Sequence, residues 1–442
     1  MKSRIIFFIA ALAVFSSPAN AQLFNTVQFY IQSYTNYAAS IVRVAPSSTE
    51  VVSYHSHGNY NEFYLIDDVS NTTVQRFTLP DEIFVRDFQI VDDMVFFCGA
   101  KSNCAVVGHF PISIFHQPLS GQFKYYTLDN CDVDYFKKMV AYYNQNNTKI
   151  QLEVIGDFVN SLDIYNSISE FIYDPFNDNI VNSNISYYFG TYSNYHQDGI
   201  FQDIAVTEDY LVVSGWKYPN QLFISRFPKY SALSGGTTYN FDESSEPYTS
   251  SRISMESLSR NDIATAATYI NYNDLSVGIR LRTINVATMS NTVTQLVPLL
   301  DKSEPDDLLF IQKDKSLLLL QKSFFPTLSD FQSVIYYLDP YNNSYFTDVY
   351  YDFNSSYYSL DRFDDPIYIA AGLTLNFEHG YLMRYKPSND VSCINKGDVS
   401  IKPKNNSPSF LHTTISLNSL LITQHIKSPY SNPELIKEEC RD

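Results

Sequence analysis

The sequence predicts an all-β protein, a single β-propeller of seven or eight four-stranded blades, and three observations carry that expectation. A thirteen-residue phrase occurs twice: residues 87–99 read D-F-Q-I-V-D-D-M-V-F-F-C-G and residues 203–215 read D-I-A-V-T-E-D-Y-L-V-V-S-G. Each copy is an Asp, an apolar alternation, an acidic turn and an apolar run closed by a small residue and Gly. That is a strand, a tight turn and a more deeply buried strand. Similar turn-centred hairpins recur near Ser48, Asp93, Asn146, Asp209, Asn261, Asp314, Asp365 and Asn418, mostly about 53 residues apart. Finally, 36 Tyr and 32 Phe stand against a single Trp, a bias that suits pleated, half-buried surfaces.

Taken in order, residues 1–21 read as a secretory signal. Lys2 and Arg4 charge its start, residues 5–15 are its apolar core, and Ala19-Asn20-Ala21 is a small-x-small cleavage site. The apolar run is too short to span a bilayer, and no later segment reaches the roughly 20 apolar residues a span needs. No Cys lies at the cleavage point. The expectation is therefore a secreted or periplasmic chain with no integral membrane segment and no lipid anchor.

Residues 22–442 then form one propeller domain, with a C-terminal tail at 426–442. Within each module the hairpin supplies strands A and B. A second turn follows, as at Pro111, Asp174-Pro175-Phe176-Asn177, Pro228 and Asp339-Pro340-Tyr341-Asn342, and separates strands C and D. Proline presets φ in such turns and Asn tolerates the left-handed region. Four antiparallel strands repeating in this way describe a propeller blade. The last hairpin, 409–426, lacks C and D strands after it, whereas residues 28–34 read as an orphan strand. An N-terminal strand that completes the last blade closes the ring and leaves no open edge.

The formal net charge is −17, and loss of the signal makes it about −19. No basic run offsets it, so nucleic acid is excluded as a partner. Five cysteines in an exported chain allow two disulfides. Cys98 and Cys104 flank a short loop and Cys393 and Cys440 could tie down the tail, which leaves Cys131 over.

The run V-F-F-C-G, with C-A-V-V-G-H-F-P-I soon after it, resembles the Tyr/Phe-Phe-Cys-Gly blade phrase of uncharacterised exported β-propellers of Bacteroidetes type. The signal ending N-A-Q and the Asn/Tyr/Ser-rich composition are similar too. The resemblance implies the fold and no catalytic residues.

Phosphate loops, His-Glu-x-x-His and Gly-x-Ser-x-Gly are absent from the sequence, and no cofactor is expected. His55-Ser56-His57 puts two imidazoles on one strand face, but no further metal ligands stand at a readable spacing. Residues 174–184 have the flavour of a Ca²⁺ loop without its Gly or final Glu, so a plain turn is the simpler reading. The candidate ligand-binding residues are those that accompany the repeated phrase. Asp87 and Asp203 open A strands, while Lys101, Trp216 and Lys217 lie in B–C loops. Carboxylates and amines that shared one cleft at the channel would bind a polar ligand or act as acid and base. The opposing reading has each Asp satisfy backbone N–H groups and each Lys solvate a loop. With no assembled catalytic set in view, the expected function is a non-enzymatic binding or scaffold protein of the cell envelope or exterior, taking a polysaccharide or protein ligand. The alternative is a carbohydrate-active enzyme, a glycoside hydrolase or lyase, with its site at the channel mouth.

Overall fold

The computed structural model describes residues 26–438 with gaps, the longer ones at 33–38, 68–73, 129–134, 189–199, 242–252, 386–394 and 404–408; side-chain surroundings are described mainly between 41 and 361. The chain is all-β. Its strands gather into seven five-stranded antiparallel sheets, and apart from one 3₁₀ turn at Ile112–Phe115 the described elements are all strands. We number the sheets by their first strands: Ala39–Val44, Ile83–Val91, Tyr135–Tyr143, Ile200–Val206, Ile253–Ser257, Ser303–Ile311 and Ser355–Asp364. In each of the first six sheets the next three strands follow in chain order, as hairpin chemistry favours. The seventh takes its fourth strand from Thr26–Gln32, which pairs antiparallel with His379–Tyr385. Fifth, outer strands come from residues 395–438, one to each sheet.

Every first strand contacts the first strand of the next sheet, and that of the seventh contacts that of the first, so the seven make a cycle. Alternation along the strands then gives each sheet two apolar faces, and the core lies in the layers between sheets. Tyr54, Phe63 and Phe77 of the first sheet meet Phe88, Phe97 and Phe110 of the second, with Phe63 and Phe110 edge-on at 5.0 Å. The opposite face of the second sheet buries Phe96, Cys98 and Val107 against Leu152, Val154 and Phe171 of the third. This layered burial accounts for the aromatic bias, because large rings fill wedge-shaped gaps between splayed sheets.

Of the eight expected hairpin turns, those near Asp93, Asn146, Asp209 and Asn261 join first to second strands, and those near Ser48, Asp314 and Asp365 lie outside the described residues. The eighth joins no such pair: Ser409–Leu411 and Ser416–Asn418 pair with the outer edges of different sheets, and Ile422–Lys427 with a third. The expected Cys98–Cys104 bridge is also corrected. The hairpin register sets Cys98 opposite Val107 and Cys104 opposite Lys101, three positions away, and Cys98 is a free thiol in the core. Cys131, Cys393 and Cys440 lie outside the described residues. Among the described residues, no helix is long and apolar enough to cross a membrane.

Candidate active site at the centre of the ring

The repeated phrase turns out to build one structural device. In the second sheet the register slips between Val85 and Asp87, a β-bulge that swings the Asp87 carboxylate across to the third sheet. Asp87 Oδ1 accepts from the backbone N–H of Phe88 at 3.0 Å, and Oδ2 from that of Met139 in the neighbouring first strand at 3.1 Å. Asp203 repeats this with Ile204 at 2.9 Å and Met255 at 2.7 Å, after a slip between Phe201 and Asp203. The Gly that closes the phrase belongs to the same device. Gly99 faces Val85, and a Cβ there would lie 1.9 Å from the Phe84 carbonyl oxygen. Gly215 occupies the matching place opposite Phe201.

The same staple, without the closing Gly of the phrase, recurs at Asp307, where Gln321 stands opposite Pro305. The Asp307 carboxylate accepts from Leu308 at 3.0 Å and from Leu360 of the seventh sheet at 2.8 Å, again after a slip. Each of these three Asp residues therefore staples an even-numbered sheet to its successor. Of the two readings weighed for Asp87 and Asp203, the backbone-satisfying one holds.

The carboxylates nevertheless converge on shared cations, although not on the lysines expected. Lys101 donates to the Tyr125 hydroxyl at 2.9 Å and lies over that ring at 5.0 Å, turned along its own sheet. Lys217 and Trp216 end a second strand, and their side chains fall outside the described residues. The central cations are Arg43 and Lys138. Arg43 Nη2 meets Asp87 Oδ1 at 3.0 Å, with the Arg43 side chain 15% exposed and that of Asp87 3%. Burial works against the Lys138 ammonium, but Asp87, Asp203 and Asp307 outweigh it and raise its pKa above the ordinary amine value. Arg43 is held charged in the same way by Asp87, Asp361, Asp307 and Glu256.

Beside this network lies a pocket of about 320 Å³ lined by Arg43, Gln89, Glu256, Asp307, Leu309 and Asp361 among others. Glu256 is its distinctive group. Burial, then the charges of Asp307 and Asp203, push its carboxyl up to about 8, against a lowering hydrogen bond from the Phe310 amide. Burial likewise raises Asp203 to about 6, offset by Lys138 and its two amide donors. The pocket thus gathers the Glu256 carboxylic acid, protonated near neutrality, with the carboxyls of Asp307 and Asp361 and the Arg43 guanidinium in one lining. Carboxyl groups whose environments separate their titrations are what acid–base work requires.

Sequence reasoning missed Arg43, Lys138, Glu256, Asp307 and Asp361. Only Asp307 shares part of the phrase, its Asp and apolar runs without the closing Gly. Glu256 and Asp361 sit one place after Met255 and Leu360, the residues that the staples grip, in strands that carry no phrase. His55 is buried, with Nε2 3.2 Å from Ser53 Oγ and its ring edge-on to Tyr64. Among the described residues no group of three or more His, Cys, Asp or Glu suits a metal ion. The Ca²⁺-like loop proves to be a clasp: Asp178 binds Lys124 at 2.6 Å, Tyr173 at 2.8 Å and His109 at 3.2 Å.

No known protein family matches the chain, and no curated protein matches it in sequence. Solved structures similar to it include the polysaccharide lyase Uly1, at 7% identity and TM-score 0.46, covering 80% of this chain and 92% of that one. The alpha-L-arabinanase of Penicillium chrysogenum, solved with arabinobiose, has 7% identity and TM-score 0.45 over 82% of this chain and 98% of its own. The WD40 domain of SCAP from fission yeast has 7% identity and TM-score 0.40 over 90% and 96%. The expectation of a non-enzymatic binding or scaffold protein is corrected at this point. It rested on the lack of gathered carboxyl groups, whereas Glu256, Asp307 and Asp361 line one pocket and the structures similar in fold are mostly described as carbohydrate-active enzymes.

Proposed function

We propose that the chain is a carbohydrate-active enzyme that cleaves glycosidic bonds in the central pocket, with Glu256 as proton donor and Asp361 as the partner carboxylate. The observation that carries the proposal is the placing of Glu256, its carboxyl raised to about 8, on one pocket with Asp307 and Asp361. Glycoside hydrolysis needs one carboxyl that is protonated at working pH and a second that is ionised. Asp307 is committed to two backbone donors. Asp361 accepts from the Val44 amide through Oδ2 at 2.7 Å. Arg43 is engaged by Asp87, Val42 O, Ser359 and Phe88 O and serves to hold this wall of the pocket in place.

The same reading takes the seven sheets as seven blades of one ring, closed where the N-terminal strand completes the seventh, and the chain as exported after cleavage at Ala21. The full chain should be assayed for reducing ends or unsaturated products released from a polysaccharide panel. Glu256→Gln and Asp361→Asn should each lower turnover by about 10²- to 10⁴-fold with unchanged circular dichroism. Wild-type turnover in both variants would overturn the assignment.

A further inference from the structure

In an antiparallel sheet of this order, the turn joining strands one and two and the turn joining strands three and four lie at the same end. Backbone bonds tie these turns together: Ile112 N–H to Asp93 O and Lys229 N–H to Asp209 O, both 2.8 Å, and Val286 N–H to Asn261 O, 2.7 Å. The pocket is lined by Val44, Ile90, Leu309 and Asp361, which stand near the turn ends of their strands, so its mouth opens on this face.

A connected path leads away from that mouth. Two residues beyond Ile90, the Asp92 carboxylate accepts from the Tyr143 hydroxyl of the third sheet. Tyr230 of the fourth sheet donates to the Tyr143 carbonyl at 3.3 Å. Its ring stands edge-on to Tyr142 at 6.0 Å, and Lys229 lies over both rings at 4.6 and 5.3 Å. Tyr230 is 40% exposed and has φ +65°. That region suits Gly or Asn, and a bulky residue held there points to a task other than folding. Phe176 is 93% exposed at the tip of its turn. Its amide is fixed on Asp174 Oδ1 at 3.0 Å, and the base of the turn is anchored by the Asp178 clasp. The turn at Asp339 repeats the arrangement and presents Tyr341, 40% exposed, with its amide 2.9 Å from Asp339 Oδ1. A ring so exposed on so rigid a support gains nothing from burial.

From this we infer that the turn face is a track for a neutral polysaccharide strand, with Tyr143, Tyr230 and Phe176 as stacking platforms that lead to the central pocket. The inference rests on the catalytic reading only for the direction of the track. Aromatic faces offer an apolar surface to the C–H faces of sugar rings. The charges among them are largely paired, Asp174 with Lys149 and both Glu208 and Asp209 with Arg260, so the face offers polar groups to hydroxyls without a net positive field to gather an anionic polymer.

The test is native affinity electrophoresis of the full chain in gels containing β-glucan, mannan or arabinan, with polygalacturonate as the anionic probe. At least one neutral polymer should retard the wild type and polygalacturonate should not. Phe176→Ala and Tyr230→Asn, the latter keeping the left-handed backbone favourable, should each weaken binding about 3- to 10-fold, and more together. Failure of every neutral polymer to retard the wild type, stronger retardation by polygalacturonate, or aromatic variants that bind as wild type would overturn the track. Retardation that depends on the aromatic residues but comes without any turnover would instead sink the catalytic reading and leave the track standing.

Discussion

Replacing Asp87 by Ala removes three interactions at once, and the structure allows its effect to be worked through. The backbone N–H groups of Phe88 and Met139 lose their acceptor in a buried seam, at about 1–3 kcal/mol for each unsatisfied group. Arg43 loses its carboxylate partner, a loss that costs about 3–5 kcal/mol when both groups are fully buried. Arg43 is 15% exposed and keeps bonds to Val42 O at 2.7 Å and Ser359 Oγ at 3.1 Å, so the charge term falls below that range. The sum is about 4–6 kcal/mol, large against the stability of an ordinary domain. Asp87→Asn should cost about half as much, since its amide offers a single acceptor oxygen. Asp92→Ala, at an exposed turn, should cost about 0.5–1 kcal/mol. Urea unfolding followed by circular dichroism gives the midpoints and slopes for all three variants. An Asp87→Ala variant within about 1 kcal/mol of Asp92→Ala would refute the staple and return Asp87 to the list of functional residues.

Three further outcomes follow from particular groups. Because the Glu256 carboxyl is raised to about 8, turnover should fall as pH rises through about 8. A raised carboxyl stabilises the fold fully below its unfolded value near 4.5, and that contribution is lost as pH rises through the folded one. Glu256→Gln should therefore flatten the alkaline limb of the stability curve, as read by melting temperature against pH. In the third sheet Glu153 faces Glu170 directly across the strands, and burial first, then Glu170, lifts its carboxyl well above the usual range. Glu153→Gln should raise the melting temperature above neutrality and leave it little changed near pH 4; equal effects at both would reject the pairing. Gly99→Ala should destabilise by about 3 kcal/mol or more, because its Cβ would meet the Phe84 backbone oxygen at 1.9 Å. The mild change expected of Gly235→Ala, which is open in space but has φ +71°, makes it the control in the same melt.

The strands were legible because their evidence is local. Alternation, acidic turns and Asp-Pro-aromatic-Asn tetrapeptides act over a few residues, so the turns near Asp93, Asn146, Asp209 and Asn261 lie where the hairpins are read. The failures came where local similarity has no ladder behind it. The hairpin near Asn418 has the right residues, yet its strands pair with separate sheets. Cys98 and Cys104 are close in sequence, but the pleat and register carry them apart. The repeated phrase was correctly singled out and wrongly valued. Its Asp recurs because a carboxylate at the bulge accepts from two backbone N–H groups, and Gly99 recurs as Gly215 where a side chain would meet the bulged strand.

What the sequence determined by itself is the β class, the module length and the repeated Asp-to-Gly device, each encoded within one stretch of chain. Only the tertiary structure decided which groups share the centre. Arg43, Lys138, Glu256 and Asp361 come from four sheets and are separated by about 95 to 120 residues of chain. None carries a neighbouring motif, because their chemistry depends on one another rather than on adjacent residues. Glu256 is an unremarked acid in a short strand until the ring brings Asp307 and Asp203 near it and removes water. Proximity and desolvation raise its proton affinity, and both arise only when distant strands close into a circle.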